Sequence, residues 1–198
     1  MARPVDLEKR AEIGQRAVEA LQELGLEASM TQLADAIGVK RPTLLYHYPT
    51  RAAILENALA QMLTEQAGFV IERMEREAHP IDQLFAQIRA VHEYHAGREA
   101  RVLFLTQALA GSGAANTDRL IAMGNMAMES RRQIMAERCR AAIREGTMAE
   151  CDVDALIRLV RSLIDGLMVQ RVMTRCDLAP LHAFIWERFL APLKLAPR

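Results

Sequence analysis

The sequence predicts an all-α protein with an N-terminal three-helix domain containing a helix-turn-helix, over residues 1–52, and a larger helical domain over residues 53–198. Three observations predict it. Apolar residues recur at helical spacing along nearly the whole chain. Gly, Pro and small polar residues stand where helices stop and start. No stretch shows the alternation of a strand, and no segment repeats.

The first helix is expected over residues 5–24, with Ile13, Ala17, Leu21 and Leu24 on one face and Gly25 as its stop. A short second helix follows Ser29, whose hydroxyl can cap it while Gln32, three residues on, completes a capping box. Leu33, Ala34 and Ile37 supply its buried face. Gly38 can take the left-handed conformation that ends a helix and turns the chain at once. The third helix begins near Pro42, since a proline loses nothing in a first turn, and lasts only to about Tyr48 because Pro49 disfavours a helical residue before it. Thr50 can cap a long fourth helix over 51–77 with the stripe Ile54, Leu55, Leu59, Met62, Leu63 and Phe69.

Beyond the "HP" at 79–80, helical stretches are expected at 81–96 and 98–109. "GSGAAN" (111–116) is the clearest internal break. A long helix over 117–145 ends at Gly146, another starts at Asp152 or Asp154 and runs to about Met173, and a last one lies near 181–190.

The chain has 198 residues, 51% of them apolar, with 25 Lys and Arg against 25 Asp and Glu, so a globular fold is expected and indiscriminate coating of nucleic acid is not. No long uncharged apolar run could cross a bilayer, and "MARPVDLEKRAEIG" lacks the apolar core of a signal peptide, so no membrane association and a cytoplasmic location are expected. Cys139, Cys151 and Cys176 have neither the number nor the spacing of a disulfide framework or a zinc site. No motif of a hydrolase, metalloprotease or phosphate loop occurs, which argues against an enzyme and against a resident cofactor. His92 and His95 share a face but lack a third ligand, so no metal is expected.

Charge is uneven where the whole chain is neutral. "MTQLADAIGVKRPTLLYHYPTRAAIL" (30–55) carries Lys40, Arg41, His47 and Arg51 and no acidic residue between Asp35 and Glu56. Two short helices joined by a glycine turn and braced by a third form a helix-turn-helix, whose second helix fits a DNA major groove. Lys40, Arg41 and Arg51 flank that helix at positions suited to phosphates, and Thr43, Tyr46 and His47 are expected on its outward face. Leu44 and Tyr48 can pack inward at i and i+4.

This stretch resembles the signature of the tetracycline-repressor (TetR) family of bacterial transcriptional regulators. The matching positions are Ser29, Ala34, Gly38-Val39, Pro42, Thr43-Leu44, Tyr46-His47 and Arg51. Leu45 departs from the pattern by replacing a tyrosine, removing a phenol-phosphate contact that Tyr46 or Tyr48 would have to supply. Ser29, Lys40, Arg41, Thr43, Tyr46, His47, Tyr48 and Arg51 are therefore the expected DNA-binding set.

The resemblance also implies a homodimer on a palindromic double-stranded operator, formed mainly by the two long helices at 118–145 and 153–173. In the second of these, Leu156, Val160, Leu163 and Leu167 form one apolar stripe with Ile157, Ile164 and Met168 beside it. That is a wider apolar surface than one partner helix covers, and Gly166 would allow close approach at the crossing. Finally, the resemblance implies a cavity for a small-molecule effector, apolar or aromatic in character, that controls DNA binding. The expected lining is Met62, Phe69, Phe85, Ile88, His92, Phe104, Gln107, Met123 and Met126, in which methionines adapt to irregular shapes and His92 and Gln107 orient the guest. A protein partner in place of the small effector is the alternative.

Overall fold

Asp6 opens the first helix by accepting a hydrogen bond from the Lys9 amide at 3.1 Å, satisfying one of the donors a helix start leaves without a partner. The structure is a computed structural model that describes residues 6–111 and 114–196, with only some of the side chains between 106 and 128. Nine α-helices are described: α1 (Leu7–Leu24), α2 (Met30–Ala36), α3 (Arg41–His47), α4 (Arg51–Met74), α5 (Pro80–Tyr94), α6 (Glu99–Ala110), α7 (Ala114–Arg144), α8 (Val153–Thr174) and α9 (Ala179–Ile185). A π-helical turn, Trp186–Leu190, continues α9. Among the described residues the only β-type pairing is a single bridge between Met148 and Lys194.

The chain divides into two compact units, Met1–Leu63 with Arg101–Met123, and Thr64–Ala100 with Gly124–Arg198. The boundary expected after residue 52 falls inside α4 and within the first unit.

In the first unit, the capping box forms as the sequence suggests. Ser29 Oγ accepts from the Gln32 amide at 3.2 Å, and Gln32 Oε1 accepts from the Ser29 amide at 2.8 Å. Gly38 turns the chain at φ 69°, and the chain re-enters helix at Arg41 with Pro42 in the first turn. Ile13, Ala17 and Leu21 of α1, Leu33 and Ala34 of α2, and Leu44 and Tyr48 at α3 are buried together with Ile37. Arg16 of α1 also donates to the carbonyl of Ile37, closing the end of α2.

In the second unit, α5 is central. Arg73 of α4 grips Glu93 of α5 through Nε at 3.1 Å and Nη2 at 3.0 Å. The buried His95 donates through Nε2 to Gln66 Oε1 at 2.7 Å, since an amide oxygen only accepts. His92 lies 2.9 Å from the carbonyl of Ile164 on α8 through Nε2, and 2.8 Å from His182 Nε2 on α9 through Nδ1. The Ile164 carbonyl also only accepts, so His92 is an Nε2–H tautomer with a bare Nδ1, and His182 Nε2 must donate to it. One buried histidine thus ties α5 to α8 and α9. Asp154 at the start of α8 receives Arg132 and Arg140 of α7 at 3.3 Å and 3.0 Å, and Asp152 caps α8 through the Ala155 amide.

Candidate nucleic-acid interface

Helix α3 is held from behind by its own apolar face. Leu44 and Tyr48 are fully buried, and the Tyr48 hydroxyl donates to the Arg10 carbonyl at 2.8 Å with the Arg10 guanidinium 5.1 Å from the ring centre. Burial pushes the Tyr48 hydroxyl above its usual pKa, so it remains a donor at any ordinary pH. What α3 leaves outside is Lys40, Arg41 and Tyr46, all exposed, with Thr43 half-buried between them. Ser29 is exposed too, although its hydroxyl serves the cap.

Three members of the expected DNA-binding set are placed otherwise. Tyr48 is a core residue, because at the end of α3 its ring falls on the same side as Leu44 and its hydroxyl is spent on α1. His47, expected on the outward face, is only 7% exposed, its ring edge against Tyr46. Its Nδ1 has no hydrogen-bond partner among the described residues. Arg51 points back and not out, donating to the carbonyls of Leu26 and of Ala28, the latter at 3.2 Å. Those carbonyls belong to the turn between α1 and α2, where the chain leaves helix and its acceptors need donors. Arg51 is therefore a brace of the helix-turn-helix. Nothing in the local sequence separates a guanidinium aimed at phosphate from one aimed at a carbonyl 25 residues earlier.

The expected effector lining is dispersed into different roles. Met62 and Ile88 are buried, and Phe104 is half-buried. Phe69 is sandwiched by the Arg73 guanidinium, 3.3 Å from its ring centre, and by Tyr94 at 5.5 Å. Phe85 packs on Trp186 at 4.9 Å. His92 has both ring nitrogens engaged, which corrects the expectation that it orients a guest. Gln107 is exposed, a second correction, because α6 buries Leu105 and Ala108 instead. The side chains of Met123 and Met126 lie outside those described.

The α8 stripe also needs correcting. Leu156, Val160, Ile164, Leu167 and Met168 are buried within the single chain, the first four along the line that meets α5 and its surroundings, while Leu163 is half-buried. The apolar residues α8 leaves outside are Leu159 at 45%, Val169 at 40% and Met173 at 78% exposure. With Leu163 and Gly166 they fall at i, i+4, i+7, i+10 and i+14, a second stripe beside the buried one. A Cβ built on Gly166 would meet nothing within 4 Å. The five-residue π turn adds a further exposed pair. Its wider winding brings Phe189 round to Phe184, five positions earlier, with ring centres 5.9 Å apart.

Burial pushes Cys139 up to about 11 and raises Cys151 as well, so both are protonated near neutrality. Among the described residues no group of three or more His, Cys, Asp or Glu side chains is placed to hold a metal, and no helix is long and apolar enough to cross a membrane.

Set against known proteins, this architecture has clear counterparts in solved structures. A TetR transcription regulator from Haloarcula marismortui superposes with a TM-score of 0.74 at 18% identity, covering 96% of this chain and 100% of that one. The transcriptional regulator FadR from Bacillus subtilis, in complex with stearoyl-CoA, gives 0.73 at 19% identity over 92% of this chain and 98% of that one. A putative transcriptional regulator from Saccharomonospora viridis, in complex with choline, gives 0.70 at 19% identity with the same two coverages, 92% and 98%. No family model and no curated protein sequence matches. The fold of this chain is that of the TetR-type transcriptional regulators, an all-α architecture with an N-terminal helix-turn-helix.

Proposed function

We propose that this protein is a transcriptional regulator, acting as a repressor, that binds a palindromic operator as a homodimer and is released by a small, mostly apolar molecule. The observation that carries the reading is the outer surface of α3. Lys40, Arg41, Thr43 and Tyr46 are displayed on a short helix that Leu44 and Tyr48 pin from behind, in a stretch free of carboxylates from Asp35 to Glu56. Lys40 and Arg41 supply phosphate contacts that position the helix, and Thr43 and Tyr46 face base edges. The likeness in fold to regulators crystallised with stearoyl-CoA and with choline supports control by a small ligand.

Two modules at operator spacing bind far better than one, which makes the second apolar stripe of α8 the natural dimer contact. Helix α4 begins beside the helix-turn-helix at Arg51 and continues through Met62 and Phe69, giving a covalent path by which an effector alters the spacing of the two modules. An effector that binds the non-DNA-binding arrangement about 100-fold more tightly couples the two events by about 2.7 kcal/mol.

The test is an anisotropy titration of operator and scrambled duplexes over several salt concentrations. K40A and R41A should each weaken both duplexes and lower the salt slope by about one unit. Y46A should instead narrow the gap between operator and scrambled DNA, by about 1–3 kcal/mol per lost base contact. Unchanged binding and unchanged salt slopes in all three variants would sink the reading.

A further inference from the structure

A cleft of about 600 Å³ opens in the second unit between one face of α7 and the corner where α4 ends and α5 begins. One wall is Arg138, Ala141 and Ala142 of α7 with Glu145 in the turn that continues it, at i, i+3, i+4 and i+7 spacing. The facing wall carries Glu75, Pro80 and Gln83. Alanines on one side and a proline on the other leave an apolar floor, and their small size is why the space exists. The volume is in the range of small-molecule sites.

The polar groups at its rim are unlike those elsewhere on the molecule. Arg132 and Arg140, on the same helix, pair with carboxylates of Glu129, Glu137 and Asp154. Arg138 is held by an amide instead: its Nη1 donates to Gln83 Oε1 at 2.9 Å. Gln83 is 5% exposed and is itself fixed by donating to the Glu77 carbonyl at 2.7 Å. A neutral acceptor orients the guanidinium without cancelling its charge, leaving the rest of the fork for a carboxylate. Of the two carboxylates in its walls, Glu75 is attracted by the Arg131 guanidinium, whereas Glu145 makes no ion pair among the described residues. The Glu145 carboxylate repels a multiply charged anion, so a guest for this cleft needs a cationic group to set against it as well as an anionic one for Arg138.

We propose that this cleft is a binding site for a small zwitterion of the α-amino-acid class. The carboxylate is taken by Arg138, the ammonium group by Glu145, and an apolar side chain lies over Ala141, Ala142 and Pro80. None of the residues expected to line the effector cavity belongs to it, and its occupancy is measurable without DNA.

The experiment is calorimetric titration of the full chain with L-leucine, L-methionine and L-valine, alongside N-acetyl-L-leucine and L-leucinamide, which lack one charge each. At least one free amino acid should bind saturably, and both blocked leucines should bind no better than about a tenth as well as leucine or not at all. R138Q should weaken the bound amino acid by about ten- to a hundredfold, as expected for a lost charge-assisted pair. Because R138Q could disturb the Gln83 contact, A141L, which fills the cleft and keeps the guanidinium, is measured with it and should also abolish binding. Circular dichroism checks that both variants are folded. R76Q, which removes a guanidinium paired with Glu72 outside the cleft, should leave binding unchanged. Absence of binding by all three amino acids would overturn the proposal. So would N-acetyl-L-leucine or L-leucinamide binding as tightly as leucine, or binding that survives both R138Q and A141L in folded protein.

Discussion

The hydroxyl of Tyr48 passes so close to Gly14 that a Cβ at that position would lie 2.5 Å from the oxygen and 3.1 Å from the ring carbon that bears it. Glycine is needed there for space, since the hydroxyl must reach past α1's surface to the Arg10 carbonyl. Overpacking of this kind costs about 1–3 kcal/mol, so G14A should lower stability in urea unfolding by that order. Y48F loses one buried hydrogen bond, worth about 1 kcal/mol, but removes the closest clashing atom. The double variant should therefore be more stable than the sum of the two losses implies, and strict additivity would show that the clash is relieved by other means.

Arg51 should behave as a brace. R51A leaves the carbonyls of Leu26 and Ala28 without their donor, so its first effect is expected on the melting of the helix-turn-helix, measured by circular dichroism. Any loss of DNA affinity should follow that instability, with a salt slope close to wild type once measured well below the melting temperature. A slope lowered by a full unit would return Arg51 to the phosphate-binding set.

The two apolar stripes of α8 should separate cleanly in solution. L159E with L163E, on the outer stripe, should give monomer by light scattering while the fold persists. L167A, on the buried stripe, should cost about 2–5 kcal/mol of stability and leave the stoichiometry in solution unchanged. The reverse pattern would restore the buried stripe as the interface.

Acid should loosen the second unit. Burial, reinforced by the neighbouring His92, Arg89 and Arg171, holds His182 down to about 4, and burial with nearby Arg98 does the same for His95. Both are neutral in the folded chain at pH values where the unfolded chain, with ordinary histidines near 6.5, has begun to take up protons. The unfolded state therefore binds more protons between about pH 6.5 and 4, and stability should be level above 6.5 and fall as the pH drops through that window. H182Q, which keeps a donor for His92, should flatten the fall when melting temperature is followed against pH.

Cys139 should resist alkylation. With its thiol pushed up to about 11 and its side chain buried, the native protein treated with iodoacetamide at pH 8 should remain unmodified at this position by mass spectrometry, while the urea-unfolded chain reacts. A variant with C139A, C151S and C176S should keep its DNA binding and its response to effector. Loss of the response in a folded triple variant would point to thiol sensing.

Much of the first unit was legible because its punctuation is local. Ser29 and Gln32 meet across three residues, Gly38 sets its own φ, and Pro49 acts on the residue before it, so each works through interactions the sequence displays directly. The starts of α2 and α8 follow from the same kind of evidence: Ser29 caps α2 as its position suggests, and of Asp152 and Asp154 it is Asp152 that caps α8, while α1, expected from residue 5, begins at Leu7 behind Asp6. Where prediction ran long, as at the end of α4, expected at 77 and found at Met74, the next breaker, Pro80, lies several residues on and no glycine marks the stop.

By itself the sequence determined the helical class, the order of the elements, the helix-turn-helix and its exposed basic entrance at Lys40 and Arg41. All of these rest on contacts within four residues or on the identity of a single residue. Only the tertiary structure decided which of two adjacent stripes on α8 is buried, because Leu156, Val160, Ile164 and Leu167 are as apolar as Leu159, Leu163, Val169 and Met173. The choice is made by where α5 lies and by the hydrogen bond from His92 to the Ile164 carbonyl. The same holds for Arg51 and for His92, whose partners stand more than twenty residues away. A polar side chain takes its role from the group it meets, and that meeting is made by packing between elements that no local pattern records.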